Sequence, residues 1–245
     1  MATSGESIRS STSVVIPCFN EESRILPTVV RIVDYLRERG GEWELVVVDD
    51  GSADRTSGVV RERYGDEPRV RLLRYESNHG KGFAVREGLL ASRCEQALFS
   101  DADLSTPIEE LAKLEAKAAE GFDLVVGSRV ASGARVVTPQ PLARRLSGFV
   151  FRTLVHGLGL SSLHDTQCGF KLVRRAAVEP ILRRVETLGF AFDVELLARA
   201  ARAGLPIAEV PVEWHDDSLG SKVRLFPDAL QMARDLVRIR FGVVS

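Results

Sequence analysis

The sequence has few of the features that mark secreted, membrane-spanning or nucleic-acid-binding chains. Its 245 residues include only three cysteines, Cys18, Cys94 and Cys168, which are far apart and lack metal-site spacing. A disulfide framework or a structural zinc site is therefore not expected, and a reducing cytoplasm suits the chain. No apolar run reaches the ~18–20 residues that span a bilayer. The 33 basic and 34 acidic residues give a net charge of −1, which offers no electrostatic argument for a nucleic-acid partner.

The remaining composition is that of an ordinary globular domain, with 44% hydrophobic and 27% charged residues. Residues 1–12 are rich in Ser and Thr and lack the apolar core of a signal peptide. We therefore expect a short disordered tail over residues 1–12 and a single domain over residues 13–245.

Short β-branched runs alternate with amphipathic helical patterns through the first half of the chain. These patterns predict an α/β fold with a Rossmann-like, mainly parallel sheet and helices on both faces. The predicted strands are residues 13–17, 43–48, 70–75, 96–100 and 123–126, and the predicted helices are residues 22–39, 56–64, 80–91 and 107–121.

The C-terminal third is more elaborate. Two helices there, predicted at residues 142–158 and 227–240, carry an apolar face beside several arginines. That pattern favours a core-facing helix, and a helix lying on an anionic membrane surface is the alternative. The other predicted elements are a loop at 131–141, a polar turn at 163–171, a helix within 187–204 and an edge-like strand at 207–214 interrupted by Pro211.

Polar clusters follow several predicted strands, where parallel sheets bind their ligands. The strongest is Asp101-Ala102-Asp103. In an extended segment residues i and i+2 face the same side, so both carboxylates can point at one ligand. Such a pair suits Mg²⁺ or Mn²⁺, whereas a solvated turn before a helix is the structural alternative.

Two more clusters lie at strand ends. In Asp49-Asp50-Gly51-Ser52 the adjacent carboxylates point apart, so one can face a ligand while the other braces a loop; helix capping is the alternative. Asn78-His79-Gly80-Lys81-Gly82 places Lys81 at a helix start, where free N–H groups favour anions. This segment matches neither the dinucleotide-binding nor the P-loop pattern. The chain also lacks the serine elbow of nucleophilic hydrolases.

Taken in chain order, these segments resemble the family 2 glycosyltransferases, whose nucleotide-sugar-binding fold is called GT-A. The resemblance runs through VVIPCFNEE (14–22), VDDGS (48–52), NHGKG (78–82) and DAD (101–103). The later segments DTQCGFK (165–171) and SKV (221–223) are similar to the dolichyl-phosphate β-glucosyltransferase branch and its bacterial polyprenyl-phosphate relatives. The likeness covers about residues 13–241.

The resemblance implies inverting, metal-dependent transfer of a sugar, with glucose as the expected sugar, from a UDP-sugar to a polyprenyl phosphate at the cytoplasmic membrane face. Three alternatives stay open. They are a soluble family 2 enzyme acting on a polysaccharide or small alcohol, a GDP-mannose-dependent polyprenyl-phosphate mannosyltransferase, and a non-catalytic nucleotide-sugar-binding regulator. Homo-oligomer formation also stays open.

The resemblance further assigns roles to individual residues. Asp103, with Asp101, would bind Mg²⁺ or Mn²⁺, and Asp165 would act near the reacting sugar as a base or as a transition-state orienter. Lys171 would contact sugar hydroxyls or the acceptor phosphate. The nucleotide-sugar-binding set is Pro17, Asn20, Glu21, Asp49, Asp50, Ser52, Lys81, Asp101, Arg129, Gln167 and Lys222.

Overall fold

The computed structural model describes residues 10–138, 142–215 and 225–243. All but two of its strands join one seven-stranded sheet. The strands are β1 (Thr12–Cys18), β2 (Trp43–Asp50), β3 (Val70–Tyr75), β4 (Gln96–Ser100), β5 (Leu124–Ser128), β6 (Arg135–Val136), β7 (Phe170–Arg174), β8 (Ile207–Pro211) and β9 (Glu213–Trp214). The sheet order is β3-β2-β1-β4-β7-β5-β8, and β6 pairs with β9 in a separate parallel ribbon.

Helices cover both faces of the sheet. The helices are α1 (Ile25–Arg39), α2 (Thr56–Tyr64), α3 (Lys81–Ala91), α4 (Leu111–Ala119), α5 (Leu142–Gly157), α6 (Arg175–Leu182), α7 (Phe192–Arg202) and α8 (Leu225–Val243). One core cluster joins α1, α2 and α4 to the sheet, and a second joins α3, α6 and α7 to its other face. A third, smaller cluster joins α5, α7 and α8. Within the described residues no helix is both long and apolar enough to cross a membrane.

The alternating faces of β1 and β2 explain their unbroken apolar runs. Val14 and Ile16 pack into the first cluster, whereas Val15 packs into the second. Both faces of β1 are covered by helices, so successive residues from Val14 to Ile16 are all apolar and do not alternate with polar ones. The mainly parallel α/β sheet predicted from these runs is confirmed.

The predicted polar turn at residues 163–171 is wrong over its last two residues. Phe170 and Lys171 begin β7, which lies antiparallel between β4 and β5 in the middle of the sheet. The strand was not predicted because its second residue, Lys171, carries a charge although it is fully buried. The helix α6, which follows β7 directly, was also not predicted.

The ordered part of the chain starts earlier than predicted. Thr12 is buried and belongs to β1, and the carbonyl of Ser11 accepts a hydrogen bond from the Gln96 N–H at 3.1 Å. Residues 10–12 are therefore not part of a disordered tail, and residues 1–9 lie outside the described residues. The helices predicted at 142–158 and 227–240 are confirmed as α5 and α8. The expectation that their predicted apolar faces point to the core is wrong, because Phe149 and Val150 in α5 and Leu230 in α8 are exposed.

A glycine in α3 sets how closely that helix packs on the sheet. A methyl group on Gly88 would overlap the side chains of Val15 and Val48. We expect Gly88→Ala to lower the free energy of unfolding by about 1–3 kcal/mol, the usual cost of overpacking. Urea denaturation measures this value.

The matched control is Gly58→Ala in α2, where a new methyl group meets only the Cβ of Arg55 at 3.9 Å. This change should raise the free energy of unfolding by up to about 1 kcal/mol, because alanine favours a helix more than glycine does. Equal stabilisation by both substitutions would contradict the close packing of α3.

Candidate active site

The loops that follow β1 and β2 form one rigid unit at the carboxyl edge of the sheet. The Asn20 N–H donates to Oγ of Ser52 at 2.8 Å, and the Ala53 N–H donates to Oδ1 of Asn20 at 2.9 Å. The Glu21 N–H donates to Oγ1 of Thr56, also at 2.8 Å. Asn20 has a φ of +52°, in the left-handed region that asparagine tolerates better than most residues.

Asp49 and Asp50 both brace loops. Asp49 is fully buried and accepts hydrogen bonds from the Ser52 N–H at 2.9 Å and from the Ser57 hydroxyl. Asp50 accepts from the backbone N–H groups of His79 (3.0 Å) and Gly80 (2.7 Å). Asp49 and Asp50 are the last two residues of β2, and contact of either carboxylate with a ligand stays a prediction.

Pro17 and Glu21, two more residues of the predicted nucleotide-sugar set, line the start of the same edge. Pro17 is buried near the end of β1, two residues beyond Val15, where the pairing of β1 with β4 ends. The Glu21 carboxylate forms an ion pair with Nε of Arg24 at 2.5 Å. These contacts give the first loop a defined shape.

Lys81, at the start of α3, reaches across to the loop after β4. Its Nζ lies 2.6 Å from Oδ1 of Asp101. Burial by itself would lower the pKa of Lys81, but the carboxylates of Asp101 and Asp193 raise that pKa above its usual value. Lys81 is therefore a permanent cation at neutral pH.

Asp101 and Asp103 lie in a turn, so the extended geometry predicted for them is wrong. Leu104 has a φ of +48°, and the Ser105 N–H donates to Oδ1 of Asp103 at 2.9 Å. Burial, and then the negative charge of Asp101, raise the pKa of Asp103. Gly169 makes room for this turn, since a Cβ there would overlap the Asp101 carboxylate.

This carboxylate pair fits a hard divalent cation. Such an ion binds oxygen ligands. Its positive charge would also favour the ionised form of Asp103, whose pKa burial has raised. Within the described residues no group of three or more His, Cys, Asp or Glu side chains could hold a metal ion. A cation at Asp103 and Asp101 would therefore complete its shell with ligand oxygens, as Mg²⁺ does with phosphates.

Arg129, directly after β5, forms a bidentate pair with Asp165. The Nε–Oδ2 and Nη2–Oδ1 distances are 2.7 and 2.8 Å, and the Arg129 N–H also donates to Oδ2 at 3.0 Å. The Gln167 N–H is a fourth donor, at 3.2 Å from Oδ1 of Asp165. The Trp214 ring lies under the Arg129 guanidinium, with 5.7 Å between the ring centroid and the guanidinium carbon.

Arg129 lowers the pKa of Asp165. Burial raises the pKa of this carboxyl group, but the Arg129 charge and hydrogen bonds outweigh burial and lower the pKa to about 2. A carboxylate in this state is a weak proton acceptor at neutral pH. Of the two roles predicted for Asp165, the geometry favours orienting another group over acting as a base.

A fully buried lysine forms a further ion pair beneath the site. Lys171 in β7 is fully buried, and its Nζ lies 2.6 Å from Oδ1 of Asp193 and 2.6 Å from the Cys168 carbonyl. Lys171 therefore cannot contact a sugar or an acceptor phosphate, and that prediction is wrong. Burial raises the pKa of the neighbouring Cys168 thiol to about 11, so this cysteine stays protonated.

Gln167 and Lys222 complete the set of predicted site residues. Gln167 lies in the turn before β7, and its buried Nε2 has no hydrogen-bond partner among the described residues. An amide in this state is a donor available to a ligand. Lys222 lies outside the described residues.

Several supporting residues were not assigned from the sequence. Glu209 of β8 accepts hydrogen bonds from the N–H groups of His164 and Asp165, at 3.0 and 2.9 Å. Trp214 supports Arg129, and Ser57 donates to Asp49. No local pattern could have identified them, because each partner comes from a different element of the fold.

The fold and the carboxylate-lined edge define a glycosyltransferase of the GT-A type. Residues 13–182 match the model of Glycosyl transferase family 2, and the chain belongs to that family. Dolichyl-phosphate beta-glucosyltransferase of Saccharomyces cerevisiae is 37% identical over 248 residues, covering 94% of this chain and 74% of the yeast enzyme. The Homo sapiens enzyme of the same name is 36% identical and covers 95% of this chain and 76% of its own length.

Solved structures agree on the fold. Glucosyl-3-phosphoglycerate synthase of Mycobacterium tuberculosis, crystallised with Mn²⁺, UDP-glucose and phosphoglyceric acid, matches with a TM-score of 0.71. The match covers 95% of this chain and 79% of that one at 23% identity, so it shows the fold alone. The family and branch predicted from the motifs are confirmed by the family model and by the dolichyl-phosphate beta-glucosyltransferases.

Asp165 is expected to make stability depend on pH. Its pKa falls from 3.8 to about 2 on folding, so the carboxylate stabilises the protein above about pH 4 and this contribution is lost as pH falls toward about 2. Asp165→Asn should lower the free energy of unfolding at neutral pH. The difference from the unsubstituted protein should narrow by about 1 kcal/mol between about pH 6 and about pH 3.

Urea denaturation across that pH range measures the effect. Asp66→Asn, which removes an exposed carboxylate, should leave the free energy of unfolding nearly unchanged throughout. A difference for Asp165→Asn that does not vary with pH would contradict the lowered pKa.

Removing one member of the Lys171–Asp193 pair is expected to lower the free energy of unfolding more than removing both. Lys171→Met leaves the Asp193 carboxylate buried without its partner and should cost about 3–5 kcal/mol of unfolding free energy. The double substitution Lys171→Met/Asp193→Leu should recover more than half of this loss, because no buried charge remains uncompensated.

Lys113→Met is the matched control, since Lys113 forms an exposed ion pair with Glu110 at 2.6 Å. This change should cost no more than about 1 kcal/mol. If Lys171→Met lowered the free energy of unfolding as little as Lys113→Met does, the Lys171–Asp193 pair would not be the compensated buried pair described above.

Proposed function

We propose that this family 2 glycosyltransferase transfers glucose, with inversion, from UDP-glucose to a polyprenyl phosphate at the cytoplasmic face of a membrane. The observation that carries the proposal is the pair of carboxylates, Asp101 and Asp103, beside Lys81 at the carboxyl edge of the sheet. The dolichyl-phosphate β-glucosyltransferases, similar over more than nine-tenths of this chain, support the choice of donor sugar and acceptor.

The donor diphosphate is proposed to lie next to Lys81 and the two carboxylates, which form one edge of the site. Asp103, with Asp101, would hold Mg²⁺ or Mn²⁺, which when bound neutralises negative charge developing on the departing UDP. Lys81 adds a permanent positive charge next to the same oxygens. Such preorganised charges favour the transition state more than the ground state.

The braced loops after β1 and β2 are proposed to form the walls of the nucleotide pocket. Asn20, Ser52 and Asp49 hold the two loops to each other, while Asp50 fixes the segment that leads into Lys81. Pro17 and Glu21 would contact the nucleotide from the first loop. Rigid walls reduce the entropy that the protein loses when it binds the donor.

Arg129 is the proposed anchor for the acceptor phosphate. Asp165 holds its Nε and Nη2, while the arginine side chain remains 25% exposed. A phosphate monoester has a second pKa near ~6, so most of the acceptor is already a dianion at neutral pH. The reaction therefore needs alignment of the attacking oxygen more than a strong base, which agrees with the low pKa of Asp165.

Gln167 is proposed to contact the transferred sugar. Its Nε2 is buried without a partner in the described part of the chain, and a sugar hydroxyl would satisfy that donor. The amide is attached to the same turn that places Asp165 against Arg129. Donor sugar and acceptor phosphate would thus be positioned by neighbouring residues of one short segment.

Calorimetry with UDP-glucose, in the presence and absence of Mn²⁺, tests the donor assignment. We expect Mn²⁺ to strengthen binding and Asp103→Asn to reduce the metal-dependent affinity at least about tenfold, because a principal metal ligand is lost. Asp66→Asn is the exposed control. Glucosylation of a polyprenyl phosphate should fall in parallel.

Three outcomes would count against the proposal. Equal binding by Asp103→Asn would overturn the metal role, and preferential binding of GDP-mannose would overturn the donor. Donor binding without glucosylation of a polyprenyl phosphate would overturn the acceptor.

A further inference from the structure

The exposed apolar surface of this protein is confined to one part of the chain. Among the described residues, every large apolar side chain that is exposed lies between Val130 and Phe241, and residues 10–129 contain none. There are ten such side chains among the described residues, and six of them lie on α5 and α8. These six are Phe149, Val150, Leu154, Leu230, Val237 and Phe241.

Both helices are apolar on two opposite sides. In α5, Phe151 and Val155 pack into the third core cluster, whereas Phe149 is 60% exposed on the other side of the helix. In α8, Leu236 and Ile239 are buried, whereas Phe241 is 69% exposed. Folding requires only the inner side of each helix, so the outer side needs another explanation.

Arginines accompany the outer apolar side chains. In α8 the residues Leu230, Arg234, Val237 and Phe241 are spaced i, i+4, i+7 and i+11, which places them along one side of the helix. Arg234 is exposed, and no ion pair involving it occurs among the described residues. The sequence of α5 contains three arginines and no acidic residue, and of the two acidic residues in α8, Asp235 is buried.

Arg238 links α8 to the segment that contacts the start of α3. Nη2 of Arg238 donates to Oγ1 of Thr187 at 3.1 Å. The next residue, Leu188, is exposed, and its carbonyl accepts the Phe83 N–H at 3.1 Å. The Leu188 carbonyl also lies so close to Gly80, the residue before Lys81, that a Cβ there would overlap it.

We propose that the outer sides of α5 and α8 form a docking surface for an anionic lipid bilayer. Phenylalanine, leucine and valine beside exposed arginines are the chemistry of helices that lie in the membrane interface. The inference rests on the proposed function, because a bilayer at this surface would present a lipid-linked phosphate beside the site edge. The basic character of the surface favours anionic lipid over a second copy of this chain, whose matching surface would carry the same charge.

Vesicle sedimentation of the full chain tests this surface. The probes are phosphatidylcholine vesicles with and without phosphatidylglycerol. We expect clear binding only to the anionic vesicles, and we expect Phe149→Ser/Phe241→Ser to lower the partition coefficient about tenfold or more. The conservative variant Phe149→Leu/Phe241→Leu should retain most of the binding.

A charge-reversal pair tests the electrostatic part. Arg234→Glu should weaken binding to anionic vesicles at least about fivefold, since each basic residue near an anionic membrane contributes about 1 kcal/mol. Arg61→Glu, an equal change at an exposed position of α2, should have little effect. Equal losses for the two variants would overturn the assignment of the surface to α5 and α8.

Calorimetric binding of UDP-glucose to each variant separates this inference from the proposed function. Retained vesicle binding without donor binding would overturn the proposed function alone. Vesicle binding unaffected by the serine variants would overturn the docking surface alone. A dimer by light scattering that the serine variants dissociate, without vesicle binding, would show that the surface joins two copies and would also overturn the inference.

Discussion

Compensation of buried charge is the constraint on which this site depends. The Lys171–Asp193 pair lies beneath the carboxyl edge of the sheet, where neither charge could remain without the other. Lys171 also holds the Cys168 carbonyl, and the adjacent Gly169 carbonyl accepts the Asp101 N–H at 3.2 Å. The pair therefore fixes the turn that presents Asp165 on one side and receives Asp101 on the other.

The antiparallel strand β7 makes this arrangement possible. It separates β4 from β5, so the polar residues at the ends of these two strands lie on either side of the turn that precedes β7. Lys81 and Asp101 face the proposed donor side, and Arg129 and Asp165 face the proposed acceptor side. A purely parallel sheet would place β4 next to β5 and leave no room for this turn.

The chemistry proposed for the site is consistent with how its carboxylates are held. Asp165 has its pKa lowered by Arg129, whereas burial and Asp101 raise the pKa of Asp103. The environment of Asp165 suits a permanent anion that orients Arg129. The environment of Asp103 suits a carboxylate whose ionised form a divalent cation would stabilise. Attack by an acceptor that is already ionised needs no further base, so the low pKa of Asp165 agrees with the proposed phosphate acceptor.

The local sequence was sufficient to predict the buried parallel strands, the helices beside them and the polar clusters at their carboxyl ends, because these depend on short-range periodicity. The family also followed from the order of motifs such as VDDGS and DAD. Only the tertiary structure revealed β7, because a charged residue such as Lys171 is not expected in a buried strand. Its charge is compensated by Asp193, which is 22 residues away in the sequence. The tertiary structure likewise decided that Asp49 and Asp50 both brace loops and that α5 and α8 expose a second apolar side. Each of these depends on which distant groups are brought together, and local periodicity carries no information about such contacts.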